Sequence, residues 1–485
     1  MNVARIVEGH PDGAAALVAG GVSTTYGQLR ARAGALRGGL AGLGVVAGDR
    51  VALVAGNEPR FVEAYLAVVG LGAIAVPLNP ASPRAELERE IVAVGARFVV
   101  VGERVDPAVI PPVDHVLGPA DVDGLASADP VPVVDVPPGA VAVLIFTAGT
   151  AGAPKAAMLT HGNLRSNLEQ VQQLADRALT PDDRSLGQLP LFHIFVLNVV
   201  LGLSLASGAA VVLLDRFDPV TALETVRAER CTVVAGAPPM WAAWAALPDA
   251  PPDAFASVRL ATSGASPLPK EVARTFVARF GLELSEGYGL TEASPVVTSS
   301  VGRARPGSIG RPLPGVELRL VDGDGDDALL GDSGEIWVRG PNVFAGYWED
   351  AEATAAALTP DGWLRTGDIA VADDDGDLSI VDRSKDLIIV SGFNVYPAEV
   401  EQVLLEHPAV GAAAVVGDED AASGETVHAF VVPEPGAAVV ASDLIAFCAT
   451  RLARYKCPTA VTVVDTIPTG LAGKVLRREL RAGSA

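Results

Sequence analysis

The sequence predicts an α/β fold: a large N-terminal domain of helix-covered parallel sheets with a small β unit, and a small α+β C-terminal domain. Two observations carry this prediction. Over most of the first 300 residues, short β-branched runs alternate with Ala/Leu/Arg stretches of helical period, which is the pattern of parallel strands covered by helices. Further along, turn dipeptides such as Pro-Gly and Asp-Gly separate short strand patterns, which favours antiparallel β structure.

The predicted elements support a domain boundary near residue 382. The clearest strand–helix–strand units are residues 50–55, 59–69 and 73–77, and then residues 210–214, 219–230 and 231–235. The small β unit has predicted strands at residues 316–321, 334–338 and 378–381. The last hundred residues have predicted helices at 397–406 and 442–452, the second with Ser442 as its N-cap, and predicted strands at 410–416 and 427–432.

The composition excludes several classes of protein. The chain of 485 residues has 58 acidic and 36 basic side chains and a formal charge of −22, which argues against nucleic-acid binding because phosphate backbones require clustered Lys and Arg. The three cysteines, Cys231, Cys448 and Cys457, have no Cys-x-x-Cys spacing, so we expect neither a disulfide scaffold nor a structural zinc site. This content is typical of a reducing compartment, and we predict a cytoplasmic location.

No membrane-spanning segment is predicted. The N-terminus has no apolar run behind its charged residues, so we do not expect a secretory signal. The uncharged stretch 194–214 is long enough to cross a bilayer, but Asn198, Ser204 and Gly208 interrupt it. We therefore predict a helix, a turn and a buried strand there.

The strongest local signal is the segment 145–155, in which a buried strand runs into a loop rich in Gly, Thr and Ala that ends at Lys155. Consecutive backbone N–H groups in such a loop can bind an anion, and hydroxyl and ammonium groups add donors. The segment lacks the Gly-Lys-Ser/Thr spacing of the Walker A motif. A flexible surface turn is the alternative.

A second signal is a short run in which Gly287 and Gly289 flank Tyr288. The ring can stack on a base, while Thr291 and Glu292 offer a hydroxyl and a carboxylate to phosphate and Mg²⁺. A turn around a core tyrosine is the alternative.

Further segments follow towards the C-terminus. Asp368, at a strand-side turn, can bind ribose hydroxyls. Residues 382–386 form a charged break between strands, followed by the segment 391–401. Near the end of the chain, Lys474 lies on a glycine-containing loop, for which a solvated basic tail is the alternative.

Together with residues 71–80 and 189–193, these segments in this order resemble the adenylate-forming superfamily of acyl-CoA synthetases, carrier-linked adenylation domains and luciferases, over essentially the whole chain. The resemblance implies ATP, Mg²⁺ and coenzyme A as cosubstrates, and two half-reactions. A carboxylate attacks the α-phosphorus of ATP to give an acyl-adenylate and pyrophosphate. A thiol then attacks the adenylate, and AMP leaves.

The resemblance also implies roles for single residues. Lys474 would bridge the carboxylate and the α-phosphate, where its ammonium group would stabilise the charge that builds on the phosphorus-bound oxygens. Thr147 and Glu292 would bind Mg²⁺. The implied nucleotide-binding residues are Thr147, Gly149, Thr150, Gly152 and Lys155 at the β- and γ-phosphates, Gly264, Ala265, Gly287, Tyr288 and Gly289 around adenine, Thr291 at the α-phosphate, and Asp368 and Arg383 at the ribose.

One active site must host two different transition states, and a mobile small domain can swap the face that it presents to the site. The resemblance implies an AMP- and acyl-binding domain at residues 1–382 and a mobile domain at residues 383–485. The hinge would lie at residues 383–386, where Lys385 matches the hinge residue of the family.

In the second pose, a segment containing Gly392 and Phe393 would replace Lys474 at the site and leave a path for a pantetheine arm. His193 matches a histidine that lies beside the acyl carboxylate or gates the thiol tunnel, and a buried core histidine is the alternative. Trp241 either lines the acyl pocket or packs in the core.

The phosphate loop departs from the family pattern. Ala148, Ala151 and Ala156 stand where the family usually has Ser, Thr and Gly. Two side-chain hydroxyls that could donate to phosphate are therefore missing, each worth about 1.5–3 kcal/mol when well made. We expect a slower enzyme, and a catalytically impaired paralogue stays open.

The function predicted from the sequence is that of an acid–thiol ligase that makes acyl-CoA from a carboxylic acid, a fatty acid by preference. One alternative is a stand-alone acyl-AMP ligase that loads a carrier protein, and another is a nucleotide- or acyl-adenylate-binding paralogue. The predicted partners are a small carboxylate, ATP and coenzyme A, without nucleic acid or a transmembrane span. A homodimer is left open.

Overall fold

The computed structural model describes residues 1–147, 155–174, 178–383, 388–390, 393–395, 397–420, 424–452, 454–469 and 475–482. The chain divides into two units. The first comprises residues 1–264, 268–317 and 338–364, and the second comprises residues 265–267, 318–337 and 365–485.

Helices and strands alternate along the first unit, as the sequence predicts. Its α-helices are α1 (Tyr26–Gly42), α2 (Pro59–Gly70), α3 (Arg84–Ala93), α4 (Pro119–Leu125), α5 (His161–Gln172), α6 (Leu203–Ser207), α7 (Pro219–Ala228), α8 (Pro238–Ala246), α9 (Lys270–Phe280) and α10 (Ala351–Ala357). Its strands are β1 (Ala15–Ala19), β2 (Val22–Thr25), β3 (Arg50–Val54), β4 (Ile74–Leu78), β5 (Phe98–Val101), β6 (His115–Leu117), β7 (Val141–Thr147), β8 (Lys155–Thr160), β9 (Arg184–Gly187), β10 (Ala210–Leu213), β11 (Val233–Gly236), β12 (Leu260–Ser263), β13 (Leu284–Gly289), β14 (Val296–Ser299) and β15 (Arg311–Pro312).

A six-stranded sheet has the order β6-β5-β3-β4-β7-β8. Strand β3 pairs in parallel with β4 and β5, so each connection crosses over through a helix. Strands β7 and β8 form an antiparallel hairpin that ends with Thr147 opposite Lys155. The hairpin therefore places the two ends of the predicted phosphate loop side by side.

A nine-stranded sheet has the order β15-β14-β13-β12-β11-β9-β10-β1-β2. Strands β9, β11, β12 and β13 run parallel to one another, so their carboxyl ends meet at one edge of the sheet. Chain segments that leave this edge carry several of the predicted site residues. This is the edge at which α/β sheets bind ligands.

Helices α8 and α9 cover one face of the nine-stranded sheet with an aromatic core. Trp241 and Phe276 are fully buried and meet edge to face, with ring centroids 5.1 Å apart. Trp244 packs on Trp241 and on Phe255 in the same cluster. Each such side chain contributes about 1.5–3 kcal/mol through burial. The ring of Trp241 is thus part of the core.

The uncharged stretch 194–214 folds as predicted into helix, turn and strand. A π-helix, Phe195–Gly202, continues into α6. Gly208 then adopts a φ of +78°, a backbone conformation that glycine reaches without steric cost, before β10 begins. Within the residues that the structure describes, no helix combines the length and apolar character needed to cross a membrane.

The second unit contains the predicted β unit and a separate mixed sheet. Its strands are β16 (Glu317–Val321), β17 (Ser333–Arg339), β18 (Leu364–Ala372), β19 (Leu378–Arg383), β20 (Ile388–Val390), β21 (Phe393–Val395), β22 (Val410–Asp420), β23 (Gly424–Pro433) and β24 (Ala460–Val463), and its helices are α11 (Pro397–Leu405), α12 (Ala441–Ala449) and α13 (Arg477–Ala482). One sheet has the order β16-β17-β18-β19, and the other has the order β21-β20-β23-β22 with β24 beside β23. The hairpin of β18 and β19 is antiparallel, as predicted.

The predicted N-cap at Ser442 is wrong. Helix α12 begins at Ala441 with Val440 as its N-cap, and no side chain caps it. The Ser442 hydroxyl instead donates to Asp443 Oδ1 at 3.3 Å. Because the helix starts before it, Ser442 already has helical backbone geometry and cannot accept from the first turn as a cap does.

Candidate functional site

The β7–β8 hairpin holds the first predicted phosphate-binding residues. Thr147 and Lys155 are half-buried register partners, and Thr147 Oγ1 donates to the Lys155 carbonyl at 3.4 Å. The loop residues between them, including the predicted Gly149, Thr150 and Gly152, lie outside the residues that the structure describes. Both ends of the loop are therefore fixed by strand pairing.

Tyr347 joins Lys155 to Glu292. The Lys155 Nζ atom lies 5.4 Å from the centroid of the Tyr347 ring, within the range of a cation–π interaction. The Tyr347 hydroxyl donates to Glu292 Oε1 at 2.7 Å. Burial, followed by the charge of Glu292, raises the pKa of Tyr347, so the hydroxyl keeps its proton and stays a donor.

Two functional atoms of this array have no competing partner in the described part of the chain. The Lys155 ammonium forms no ion pair there, and Glu292 Oε2 accepts no hydrogen bond there. An ammonium group and a carboxylate oxygen that share one tyrosine suit a polyphosphate together with its cation.

Three asparagines from different elements hold the turn that carries Thr291 and Glu292. Asn198 of the π-helix donates to the Ser294 carbonyl at 2.7 Å. Asn342 donates to the Ala293 carbonyl at 2.9 Å, and Asn167 of α5 donates to the Val296 carbonyl at 2.8 Å. All three side chains are buried, so their hydrogen bonds are made in a low dielectric and fix the turn firmly.

Close packing explains why glycine flanks Tyr288 on both sides. A Cβ atom at Gly289 would lie 2.0 Å from the Pro295 carbonyl oxygen, and one at Gly287 would lie 3.1 Å from the Thr298 carbonyl oxygen. Antiparallel pairing of β13 with β14 leaves no room for side chains there. Tyr288 itself is half-buried.

Gly264 lies against the start of the π-helix. A Cβ atom there would lie 3.2 Å from the Phe195 ring, so glycine permits close approach of this ring to the end of β12. The next residue, Ala265, has a φ of +70°. A non-glycine residue in this region is uncommon and costs free energy, a feature that is found at functional sites.

His193 is solvent-exposed and is therefore not a core histidine. Its Nδ1 accepts a hydrogen bond from the Phe195 N–H at 3.2 Å, which leaves Nε2 as the protonated nitrogen. Desolvation by the protein around the ring lowers its pKa, so the imidazole is neutral at neutral pH. A neutral ring can donate from Nε2 to a carboxylate without carrying charge.

The predicted ribose residues belong to the β18–β19 hairpin. Asp368 is 6% exposed and is the register partner of Arg383. Gly367 adopts a φ of +71°, and its N–H donates to Glu335 Oε1 at 2.8 Å. Strand register therefore places Asp368 opposite Arg383, and their binding of ribose stays a prediction.

Other predicted site residues lie outside the described parts of the chain, namely Lys385, Gly392 and Lys474. Phe393 and Arg383 are described through their backbone only. Their predicted roles therefore stay predictions.

Two family models match the chain. A model for AMP-binding enzymes covers residues 3–348, and a model for the C-terminal domain of AMP-binding enzymes covers residues 399–474. The chain belongs to the AMP-binding enzyme family. It is of the acyl-CoA synthetase type within the adenylate-forming superfamily, as the motifs predict.

Curated members of the family are similar over nearly their full length. A feruloyl-CoA synthase from Amycolatopsis sp. is 40% identical over 468 residues, which are 95% of this chain and 94% of the relative. A long-chain-fatty-acid–CoA ligase from Bacillus subtilis is 35% identical, covering 90% of this chain and 86% of the relative. A 4-coumarate–CoA ligase from Oryza sativa is 35% identical, covering 95% and 87%.

Solved structures of the family share the fold. The crystal structure of ATP-bound MatB from Rhodopseudomonas palustris matches with a TM-score of 0.93 and 33% identity, covering 100% of this chain and 99% of that one. The o-succinylbenzoate CoA synthetase from Bacillus subtilis, in complex with its acyl-adenylate, matches with a TM-score of 0.88 and 31% identity, covering 99% and 98%. The large parallel-sheet domain and small C-terminal domain predicted from the sequence are confirmed.

CoA ligases of this AMP-binding family use ATP, Mg²⁺ and coenzyme A, and the residues present fit the first two. Thr147 and Glu292 offer the hard oxygen ligands that Mg²⁺ prefers. Lys155 offers an ammonium group without a carboxylate partner in the described part of the chain.

Sequence reasoning missed Tyr347 and the three asparagines. Tyr347 is 55 residues from Glu292 in sequence and lies in a segment without helical or strand period. The Gly-Tyr-Trp run at residues 346–348 was the available signal, because aromatic residues beside a glycine in an irregular segment indicate a packed loop.

Proposed function

We propose that this protein ligates a hydrophobic carboxylic acid to coenzyme A at the expense of ATP, through an acyl-adenylate. The array of Lys155, Tyr347 and Glu292 supports this proposal most directly. Tyr347 brings the Glu292 carboxylate together with the ammonium group of Lys155, which lies on the strand hairpin that opens into the phosphate loop. The match of both family models supports it independently.

In the first half-reaction, a carboxylate oxygen of the acid attacks the α-phosphorus of ATP, and pyrophosphate leaves. Lys155 would bind the departing phosphates, and Thr291 would donate to the α-phosphate. Mg²⁺, held by Thr147 and Glu292, would neutralise charge on the phosphate oxygens. Lys474 would bridge the carboxylate and the α-phosphate, so that its charge acts where the transition state becomes more negative.

In the second half-reaction, the thiol sulfur of coenzyme A attacks the acyl carbon, the acyl–phosphate bond breaks and AMP leaves with the bonding electrons. The thiol proton is lost to solvent. We propose that rotation about Lys385 exchanges the Lys474 segment for the one with Gly392 and Phe393, so residues 1–382 and 383–485 act as separate domains. A neutral His193 beside the acyl carbonyl would orient it by hydrogen bonding.

The acid is expected to be hydrophobic. The curated relatives named above are a feruloyl-CoA synthase, a 4-coumarate–CoA ligase and a long-chain-fatty-acid–CoA ligase, and the acids in these names share a carboxylate on an apolar body. A fatty acid, the class predicted from the sequence, is one member of that set. The reducing cytoplasm stays the proposed compartment on the basis of cysteine content.

A panel of acids tests the proposal. Purified protein with ATP and Mg²⁺ is given 4-coumarate, ferulate, dodecanoate and hexadecanoate in turn, each with coenzyme A or with a holo-carrier protein. The proposal expects pyrophosphate and AMP in equal amounts and a thioester of coenzyme A. Thioester on the carrier protein alone would establish the acyl-AMP ligase instead.

The altered phosphate loop favours one other candidate, a paralogue that binds nucleotide without turnover. Ala148 and Ala151 remove two hydroxyl donors. Ala156 is buried at the start of β8, where its Cβ packs with the core of the six-stranded sheet. This candidate would be established if the protein binds ATP and releases pyrophosphate with none of the acids in the panel.

A further inference from the structure

Three strands of the second unit carry a chain of hydrogen bonds that the proposed ligase reaction does not use. Asp418 lies on β22, His428 on β23 and Thr462 on β24, and β23 pairs with both of the other strands. His428 Nδ1 lies 2.6 Å from Asp418 Oδ2, and His428 Nε2 lies 2.8 Å from Thr462 Oγ1. We call these three residues the threonine triad.

Strand register places the three side chains on one face of the sheet. His428 is the register partner of Val416 on β22 and of Ala460 on β24. Asp418 and Thr462 each lie two residues beyond those partners, and positions two residues apart along a strand share a face. The two hydrogen bonds are therefore built on strand pairing and do not depend on a loop.

The hydrogen bonds determine which imidazole nitrogen carries the proton. An ionised carboxylate can only accept, so the contact with Asp418 requires the proton of a neutral His428 to lie on Nδ1. Nε2 is then an acceptor, and the Thr462 hydroxyl donates the hydrogen bond to this nitrogen. This is the arrangement in which an imidazole removes the proton of a hydroxyl nucleophile.

Packing fixes the imidazole of His428 and leaves the hydroxyl of Thr462 accessible. The His428 ring is stacked on Phe430, with ring centroids 4.4 Å apart and 23° between the planes. The His428 side chain is 11% exposed, whereas Asp418 is partly exposed and Thr462 is exposed. A shielded base beside a nucleophile that faces solvent suits attack on a substrate that arrives from outside.

Strand β24 also offers donors for the oxyanion that an acyl transfer creates. Among the described strands, β24 pairs with β23 alone. An edge strand has backbone N–H groups on its open side that donate to no neighbouring strand. Such groups can stabilise the negative charge that develops on a carbonyl oxygen during acyl transfer. The edge position of Thr462 therefore places a nucleophile beside this kind of donor.

We propose that the threonine triad is a second acyl-transfer site, at which Thr462 takes the acyl group of an activated carboxylic ester. His428 Nε2 takes the proton from Thr462 Oγ1, and this oxygen forms a bond to the carbonyl carbon of the ester. The bond from the carbonyl carbon to the leaving oxygen then breaks, and the alcohol or phenol leaves with the bonding electrons and the proton. Water hydrolyses the acyl-threonine by the same steps and restores the hydroxyl. The activity requires neither ATP nor coenzyme A.

The ester 4-nitrophenyl acetate tests the proposal on the full-length protein without ATP, Mg²⁺ or coenzyme A. The proposal expects a burst of 4-nitrophenol and an acetyl group on Thr462, located by mass spectrometry of peptides after an acid quench. Thr462→Val replaces the hydroxyl with a methyl group at an exposed position and should abolish the burst. Thr462→Ser keeps a hydroxyl and should retain the burst.

His428→Gln tests the base. General base catalysis contributes about 100-fold or more, so the rate of Thr462 acetylation should fall by about that factor. Asp418→Asn should slow the reaction as well, because an amide can donate to Nδ1 and so move the imidazole proton to Nε2. If His428→Gln does not fold, as measured by circular dichroism, Thr462→Val and Asp418→Asn decide the question, since both positions are at least partly exposed.

A matched control is Thr459→Val, just before β24. Thr459 is also exposed, but its hydroxyl donates to the Val427 carbonyl at 3.1 Å in place of a histidine. This variant should acetylate Thr462 at the wild-type rate. The proposal would be overturned if the wild type carries no acetyl group on Thr462, or if neither His428→Gln nor Asp418→Asn slows its acetylation. The threonine triad would then have a structural role only.

Discussion

Tyr347 links the residues that we propose to bind phosphate and Mg²⁺. It contacts the Lys155 ammonium through its ring and Glu292 through its hydroxyl. Tyr347→Phe keeps the ring and removes only the donor to the carboxylate. Because hydrogen bonds to charged groups contribute about 1.5–3 kcal/mol, we expect the Mg²⁺ concentration for half-maximal pyrophosphate release to rise by about 10-fold, measured by titration at saturating ATP.

Tyr347→Leu provides the comparison, since it removes both contacts and should also raise the apparent KM for ATP. If Tyr347→Phe has the Mg²⁺ dependence of the wild type, Glu292 does not take part in metal binding.

His161 makes stability depend on pH, independently of catalysis. Its Nδ1 accepts from the Val3 N–H at 3.0 Å, and burial, assisted by the N-terminal ammonium group, lowers its pKa to about 4 from the ordinary 6.5. The unfolded chain then binds this proton more tightly than the folded chain. The stabilising contribution is complete above pH 6.5 and is lost progressively as the pH falls towards 4.

His161→Asn keeps an acceptor near Nδ1 and cannot titrate. Between pH 7 and pH 5, the free energy of unfolding should fall by about 2 kcal/mol more in the wild type than in this variant, measured by urea denaturation. Parallel pH profiles would show that the His161 pKa is not depressed.

The predicted phosphate loop departs from the family pattern at Ala148, Ala151 and Ala156. Ala148→Ser combined with Ala151→Thr restores two hydroxyl donors between fixed strand ends. Since each donor can bind a phosphate oxygen in the transition state, we expect kcat/KM for ATP to rise by about 10-fold. The single-turnover rate of pyrophosphate release measures this.

Ala156→Gly serves as the control for the third departure, because it restores the family residue without adding a donor. An unchanged or slower double variant would mean that the loop has been remodelled for another purpose.

Element types were predictable wherever the pattern was strong. The predicted strand at 50–55 and helix at 59–69 correspond to β3 (Arg50–Val54) and α2 (Pro59–Gly70). The apolar pattern predicts the strand, and the apolar pattern together with proline at the first helical position predicts the helix. These signals are local, so the sequence alone shows them. The predicted cap at Ser442 failed because the helix starts earlier, at Ala441, without a side-chain cap.

Sequence alone could propose residues of the candidate site only where they lie in contiguous motifs. Thr147, Lys155 and Glu292 belong to such motifs, but Tyr347 and Asn198 act through contacts that tertiary structure alone creates.

We propose that the two half-reactions use two poses of the small domain. Lys385 matches the hinge residue of the family, and proline would fix its φ near −65°. Lys385→Pro should therefore hold one pose and abolish the complete cycle to acyl-CoA, while one half-reaction persists. Two rates are measured for this variant: single-turnover pyrophosphate release, which reports adenylation, and thioester formation from synthetic acyl-AMP, which reports the second half-reaction. Wild-type rates in both assays would exclude a hinge at this position.

Lys474 tests the central claim, that this protein activates an acid as its adenylate before the thiol reacts. Lys474→Ala is compared with the wild type in the two separate half-reactions: pyrophosphate release from ATP and the acid without coenzyme A, and thioester formation from synthetic acyl-AMP and coenzyme A. Loss of a charge that stabilises the transition state of the first step alone should slow pyrophosphate release by about 100-fold or more and leave thioester formation close to the wild-type rate. Equal loss in both half-reactions, or an unchanged rate of pyrophosphate release, would contradict the account.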